Sequence, residues 1–163
     1  MTDTLSAGNI EDHQRLIRNL QRAQAFPHAA QDIACIETHI SSVVLAGDFA
    51  YKLKKPLDLG FLDFSTLEKR RAACAEELRL NRRTAPELYL DVVAITGSVG
   101  SPRIGGEGEP IEYAVRMRRF AQSALLGEVL ETGALSPELL DHLARHVAGF
   151  HAAAAVAVPG DGF

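Results

Sequence analysis

The sequence predicts an α+β fold, in which an antiparallel sheet of five strands has one helix inserted after its third strand. Three observations predict this class. Three short apolar runs joined by tight turns lie before residue 54, and two more follow residue 90. The segments before, between and after them have apolar residues at helical spacing.

The chain begins with an amphipathic helix. Leu16, Ile17 and Leu20 form an apolar stripe and predict a helix from about Ile10 to Ala25. Pro27 should end it, because proline cannot continue a helix.

Three β-like runs follow, and each is short. They are joined by Ser41-Ser42 and Gly47-Asp48, which are typical turn residues. Such tight connections predict an antiparallel meander. The strands are Ala34–Thr38, Val43–Ala46 and Phe49–Leu53.

The inserted helix has a clear start signal. Ser65-Thr66-Leu67-Glu68 matches a capping box, in which the hydroxyl and the carboxylate satisfy backbone amides at a helix start. The helix should continue to about Thr84, with Pro86 closing it. Two further strands, Asp91–Thr96 and Ile111–Phe120, are separated by a loop rich in Gly, Pro and Ser.

Helices make up the C-terminal part. One is predicted from about Ala121 to Thr132, ending at Gly133, and Ser136-Pro137-Glu138 begins another. We expect apolar stripes here to be exposed and, if nothing else covers them, to mediate self-association. The last helix carries Leu140, Leu143, Val147 and Phe150 at stripe positions.

The whole order of elements predicts the N-terminal lobe of a protein kinase over 1–119, and the first helices of an incomplete C-terminal lobe over 120–163.

Composition narrows the functional classes. Of 163 residues, 47% are hydrophobic and 23% are charged, and no apolar run reaches the roughly 20 residues that span a bilayer. A net charge of −4 argues against nucleic acid or an anionic membrane as a partner. Cys35 and Cys74 lack metal-site spacing and are expected to be buried, reduced residues. Because Met1–Gly8 lack a secretory signal, we expect a cytoplasmic protein.

The segment Phe49-Ala50-Tyr51-Lys52 carries the strongest chemical signal. In a strand, Ala50 and Lys52 point to one face. Kinases use a small residue beside the adenine and a lysine two positions later that binds phosphates, with the motif V-A-I-K on the third strand. The alternative is an edge-strand lysine kept for solubility, which the neighbouring Lys54 and Lys55 favour.

The position of each glutamate around the inserted helix predicts which one pairs with Lys52. Glu77 falls inside the apolar arc of the inserted helix, whereas Glu76 falls roughly 100° away, toward solvent. A carboxylate in an apolar stripe needs a partner. Lys52 is the favoured partner, and Arg70 or Asn81 on the same helix are the alternatives.

Several long runs of this sequence together resemble a bacterial family described as aminoglycoside phosphotransferase-like, which has a protein-kinase-like fold. The resemblance extends from about Ile10 to His151. It rests on Ile36-Glu37-Thr38-His39-Ile40-Ser41, Ala46-Gly47-Asp48-Phe49-Ala50-Tyr51-Lys52-Leu53-Lys54-Lys55-Pro56, Gly60-Phe61-Leu62-Asp63-Phe64-Ser65-Thr66-Leu67-Glu68, Glu77-Leu78-Arg79-Leu80-Asn81-Arg82-Arg83, Ala85-Pro86-Glu87-Leu88-Tyr89-Leu90 and Glu107-Gly108-Glu109-Pro110-Ile111-Glu112-Tyr113-Ala114-Val115.

The resemblance implies an ATP-dependent phosphotransferase that acts on a small hydroxylated acceptor. Family members are typically longer, and a P-loop kinase domain often follows the kinase-like one. Lys52 is implied to bind phosphate and Glu77 to be its helix partner. Ser41 and Ser42, in the turn from Thr38, are implied to cover the nucleotide, although a plain polar turn explains them equally well. Position 42 departs from the pattern, because a larger residue is expected there.

The implied hinge is the backbone around Met117–Arg119, including Met117 and Arg118, which should meet the adenine. Phosphoryl transfer also needs an aspartate at the acceptor hydroxyl, and an asparagine and a second aspartate that hold Mg²⁺. Those positions would follow His151, yet the last asparagine is Asn81, and Asp161 is the only aspartate beyond Asp141. Asp161-Gly162-Phe163 reverses the metal-binding D-F-G order and is given no role.

We therefore expect the chain alone to bind nucleotide without catalysis, as part of a longer kinase that uses ATP with Mg²⁺. The alternative is a non-catalytic module that binds a nucleotide or a partner protein.

Overall fold

A computed structural model of the chain describes residues 8–156 and residue 160. The Asp161-Gly162-Phe163 segment, and residues 1–7 of the segment in which no secretory signal was predicted, lie outside the described residues. The chain divides into two compact units, one ending at Arg119 and the other beginning at Phe120.

The first unit is built on an antiparallel sheet, so the predicted α+β class is confirmed. Over the described residues the sheet has six strands in the order β1-β2-β3-β6-β4-β5. The predicted number of five is wrong. The strands are β1 Ala34–Glu37, β2 Ser41–Ala46, β3 Phe49–Lys54, β4 Tyr89–Ser98, β5 Ser101–Ile104 and β6 Glu112–Arg118.

The additional strand, β5, lies in the segment that was predicted to be only a loop. It forms a hairpin with β4, in which Ser98 faces Ser101 and Ile95 faces Ile104. Its side chains alternate, with Pro102 and Ile104 buried. A proline predicts loop in a sequence, but an edge strand tolerates it because one side of that strand makes no ladder bonds.

Four α-helices and two short 3₁₀ turns complete the described part of the chain. The first helix ends earlier than predicted, because Arg22 is extended (φ −109°, ψ 134°), and residues 23–25 form a separate 3₁₀ turn. The helices are α1 Ile10–Leu20, α2 Leu67–Asn81, α3 Leu126–Glu131 and α4 Pro137–Ala153.

The start of α2 also differs from the predicted capping box. Thr66 is the N-cap, and its hydroxyl accepts from the amide of Lys69 at 3.3 Å. The hydroxyl of Ser65 instead donates to Asp63 at 2.6 Å. Adjacent hydroxyl residues offer two similar caps, and the local bond to Asp63 decides between them.

The main hydrophobic core lies between α1 and one face of the sheet. The predicted stripe of Leu16, Ile17 and Leu20 is buried there, as expected. It packs in one cluster with strand residues that include Val44, Tyr51, Leu53, Ile95 and Ala114. Side chains alternate between faces of a strand, so Ala50, Lys52 and Lys54 project from the opposite face of β3.

A buried ion pair ties α2 to the start of β6. Arg70 Nε donates to Glu112 Oε2 at 2.8 Å, and neither side chain is exposed to solvent. Arg70 Nη1 also donates to the carbonyl of Phe64 at 3.0 Å, and the amide of Tyr113 donates to Glu112 Oε1 at 2.9 Å. Burial raises the pKa of Glu112 to about 7, against the attraction of Arg70 and these hydrogen bonds.

The second unit contains α3 and α4. Ser136 caps α4 as predicted, accepting from the amide of Leu139 at 3.2 Å. Leu140, Leu143 and Val147 are exposed, while Phe150 is half-buried. Self-association through these helices remains a prediction. In the part of the chain that the structure describes, no helix is both long enough and apolar enough to cross a membrane.

Replacing Arg70 with methionine should strongly destabilise the first unit. The substitution leaves Glu112 buried without its cation, so that it must stay as an unpaired carboxylate or take up a proton, and breaking comparable pairs costs about 3–5 kcal/mol. Urea unfolding followed by circular dichroism measures the change. Arg79→Met is the matched control, because Arg79 pairs with Glu76 on the exposed face of α2 and its loss should leave the midpoint nearly unchanged. Equal midpoints for the two variants would contradict this role for Arg70.

Candidate functional site

Lys52 lies in the interior of the sheet. Strand β3 pairs with β2 on one side and with β6 on the other, which places Lys52 between Val43 and Val115. The edge-strand explanation for this lysine is therefore wrong, because an interior strand needs no charge to block its edge. Ala50 is buried two residues earlier on the same face.

Glu77 of α2 reaches this face and contacts Lys52. Lys52 Nζ lies 2.7 Å from Glu77 Oε1. The two same-helix alternatives are occupied elsewhere, since Arg70 pairs with Glu112 and the Asn81 amide donates to the backbone carbonyl of Glu77. Glu76 is exposed and pairs with Arg79, so the predicted orientation of Glu77 toward the sheet and of Glu76 toward solvent is confirmed.

Lys54 is the residue that sequence reasoning missed. Its Nζ donates to the second oxygen of Glu77, Oε2, and lies 5.5 Å from the centroid of the Phe64 ring. Its side chain is 7% exposed, compared with 11% for Glu77 and 29% for Lys52. The sequence feature that could have revealed this role is the i, i+2 spacing of Lys52 and Lys54, which puts both lysines on one face of β3.

These contacts control the ionisation of Glu77. Burial alone raises the pKa of a carboxyl group, but the hydrogen bonds and charges of Lys52 and Lys54 together outweigh it. The net pKa of Glu77 lies below its ordinary value, so the carboxylate stays ionised at neutral pH.

The two serines of the predicted nucleotide-covering turn point in different directions. Ser41 lies opposite Lys54 in the register and therefore shares its face, fully buried. Among the described residues, its hydroxyl has no hydrogen-bond partner. Ser42 points to the α1 side, where its hydroxyl donates to Glu37 Oε2 at 3.0 Å. Ser42 is thus separated from the Lys52 face, and its assignment to the nucleotide is not supported.

His13 of α1 completes the surroundings of Ser42. Its Nε2 lies 2.9 Å from Ser42 Oγ, and the hydroxyl already donates to Glu37, so Nε2–H is the donor. Burial lowers the pKa of His13 to about 4, with Glu37 opposing the shift, so the ring is neutral at pH 7. A small residue at position 42 leaves room for this bond.

The two residues of the implied hinge also lie on opposite faces of the sheet. Met117 lies opposite Ala50 and shares its face, whereas Arg118 lies opposite Phe49 and is exposed. The amides of Arg118 and Arg119 donate to the carbonyls of Leu88 and Asp48 at 2.9 and 2.8 Å. A purine that accepted a hydrogen bond from either amide would have to displace a protein carbonyl.

The cysteines were predicted only in part. Both are free, and Cys74 is buried, as expected. Cys35 is half-buried, because its strand lies at the sheet edge, and its thiol donates to Glu37 Oε1 at 3.4 Å. Within the described residues, no group of three His, Cys, Asp or Glu side chains is placed to hold a metal ion.

Comparison with known proteins finds mycobacterial relatives that are named as uncharacterized proteins. No protein-family model and no solved structure matches the sequence significantly. The chain is 40% identical over 115 residues to the uncharacterized protein Rv2004c of Mycobacterium tuberculosis and to the uncharacterized protein Mb2027c of Mycobacterium bovis. Each match covers 71% of this chain and 22% of the relative. The chain thus spans about a fifth of the length of the curated relatives it matches.

The lowered pKa of Glu77 predicts a pH-dependent contribution to stability. The ionised carboxylate stabilises the fold above its ordinary pKa of 4.5, and this contribution is lost as the pH falls through the lower pKa of the folded state. The difference in unfolding free energy between the wild type and Glu77→Gln should be largest above the ordinary pKa of 4.5 and should shrink as the pH falls below it. Urea titrations at several pH values measure it, and a difference independent of pH would contradict the lowered pKa.

Proposed function

We propose that the chain is the nucleotide-binding N-terminal part of an ATP-dependent phosphotransferase related to the aminoglycoside phosphotransferase-like family. The ion pair between Lys52 and Glu77 carries the proposal. In protein kinases, a lysine on the third strand pairs with a glutamate on the following helix and binds the nucleotide phosphates. Here a lysine on β3 pairs with a glutamate on the next helix, and Ala50 precedes that lysine by two residues.

The charge at this position fits a phosphate group. Lys52 is the most exposed member of its ion-pair cluster and carries three N–H donors. A charged hydrogen bond to phosphate is stronger than a neutral one, and the carboxylate of Glu77 holds the ammonium in place. Met117 lies on the same face and remains a candidate contact. Ser41 shares that face but is fully buried, and Ser42 and Arg118 lie on the other face.

The remaining parts of the reaction would come from outside these 163 residues. Mg²⁺ supplies charge neutralisation at the phosphates, and an aspartate orients the acceptor hydroxyl. The relatives are more than four times as long as the region they share with this chain, which leaves room for such residues. A small hydroxylated acceptor and a cytoplasmic location, where ATP is abundant, belong to the same proposal.

Lys52→Met should weaken ATP binding by about tenfold to a hundredfold, because a charged hydrogen bond contributes about 1.5–3 kcal/mol. Isothermal titration calorimetry or ligand-observed NMR measures the Kd. Lys69→Met is the matched control, since Lys69 is an exposed lysine that pairs with Asp63 near the start of α2. Unchanged binding by the Lys52 variant, with its circular dichroism spectrum intact, would contradict the proposal.

The 163-residue chain should show no phosphate transfer above background, because the sequence after α4 contains no asparagine for the metal. Incubation with γ-labelled ATP, Mg²⁺ and a panel of aminoglycosides and sugars tests this. Transfer that survives repurification and disappears in Lys52→Met would show that these residues suffice for catalysis.

A further inference from the structure

The carboxylate of Glu77 is shared by two lysines. One oxygen bonds to Lys52 and the other to Lys54, so each ammonium has an oxygen of its own. Two ammonium groups and one carboxylate leave this cluster with a net charge of +1. A pair of one lysine and one glutamate would instead have a net charge of zero.

The two lysines differ in their access to solvent. Lys54 is nearly buried, and its ammonium lies above the ring of Phe64. Lys52 is about four times more exposed than Lys54, at 29% against 7%. The buried Lys54 can therefore compensate the largely buried carboxylate of Glu77, while the excess positive charge is presented at Lys52, which solvent reaches.

A phosphate group and Glu77 both attract the ammonium of Lys52. If Lys52 were the sole partner of Glu77, a phosphate that drew it away would leave the carboxylate buried and uncompensated, which is costly. With Lys54 in place, the carboxylate keeps one full partner. The phosphate then meets a cation whose charge is not already cancelled.

We propose that Lys54 is a positioning residue, which neutralises Glu77 and thereby frees the charge of Lys52 for the phosphates of the nucleotide. The inference rests on the function proposed above. Two other roles for Lys54 are distinguishable from it. Direct contact with phosphate would require an ammonium that solvent reaches more readily, and a purely structural role would be independent of what Glu77 does.

A double-mutant cycle with ATP as the probe tests the inference. In the wild-type background, Lys54→Met should raise the ATP Kd by about tenfold or more, because Glu77 then cancels the charge of Lys52. In the Glu77→Gln background, the same substitution should change the Kd by less than about threefold, because no carboxylate competes for Lys52. Lys54→Arg keeps the cation and should bind ATP nearly as well as the wild type.

The outcomes separate this inference from the proposed function. Equal losses in the two backgrounds would overturn it and assign Lys54 to direct contact or to structure. If Lys52→Met abolishes binding while Lys54→Met binds like the wild type, the inference fails and the proposed function stands. A wild-type chain that does not bind ATP would overturn both.

A measurement on the wild-type chain covers the case in which Lys54→Met does not fold. The carboxyl carbon of Glu77 can be followed by NMR through a pH titration, with and without saturating ATP. We expect the pKa of Glu77 to stay below its ordinary value in both states, since Lys54 remains bonded to it. A rise above the ordinary value when ATP binds would show that Lys54 does not compensate Glu77.

Discussion

The structure of the first unit depends on the ion pairs between α2 and the strands of the sheet. Glu112 is buried there and Glu77 is largely buried, and each has a basic partner on another element: Glu77 with Lys52 and Lys54, and Glu112 with Arg70. An unpaired charge in such a place costs several kcal/mol, so the pairs restrict α2 to one position along the strands. Apolar packing alone would not fix that position, because the fully buried residues of α2 are Arg70 and Cys74.

The two faces of the sheet consequently have different chemistry. The α1 face is held by Leu16, Leu20 and their strand partners, with a buried polar link from His13 to Ser42. The α2 face is held by ion pairs, and an ion pair can exchange partners without opening the apolar core. That separation would let the ion pairs of Lys52 rearrange around a ligand on the α2 face while the apolar packing on the α1 face stays closed.

Much of this arrangement could be predicted from residue patterns. The apolar stripe of α1 and the phase of Glu77 follow from helical periodicity, and the lysine motif follows from the alternation of β3. The strand β5 could not be predicted, because Pro102 argues against a strand unless its edge position is known. The burial of Lys54 could not be predicted either, since a lysine is buried only where a partner from a distant segment meets it.

The proposed turn and hinge contain features that residue types alone cannot predict. Ser41 and Ser42 are identical in type, and the register that sends them to opposite faces depends on where β2 begins. The hydrogen bonds of the Arg118 and Arg119 amides involve Leu88 and Asp48, which are distant in sequence. Backbone contacts of this kind leave no mark on side-chain identity.

The proline in β5 has a consequence for the behaviour of the protein at high concentration. The outer strands of an open sheet offer unpaired backbone groups, to which a strand of another molecule can add. β5 is one of these outer strands, spans only Ser101–Ile104, and contains a residue without an amide hydrogen. This edge of the sheet is therefore a poor template for intermolecular growth, and the residue that hides the strand from prediction also protects the fold against aggregation there.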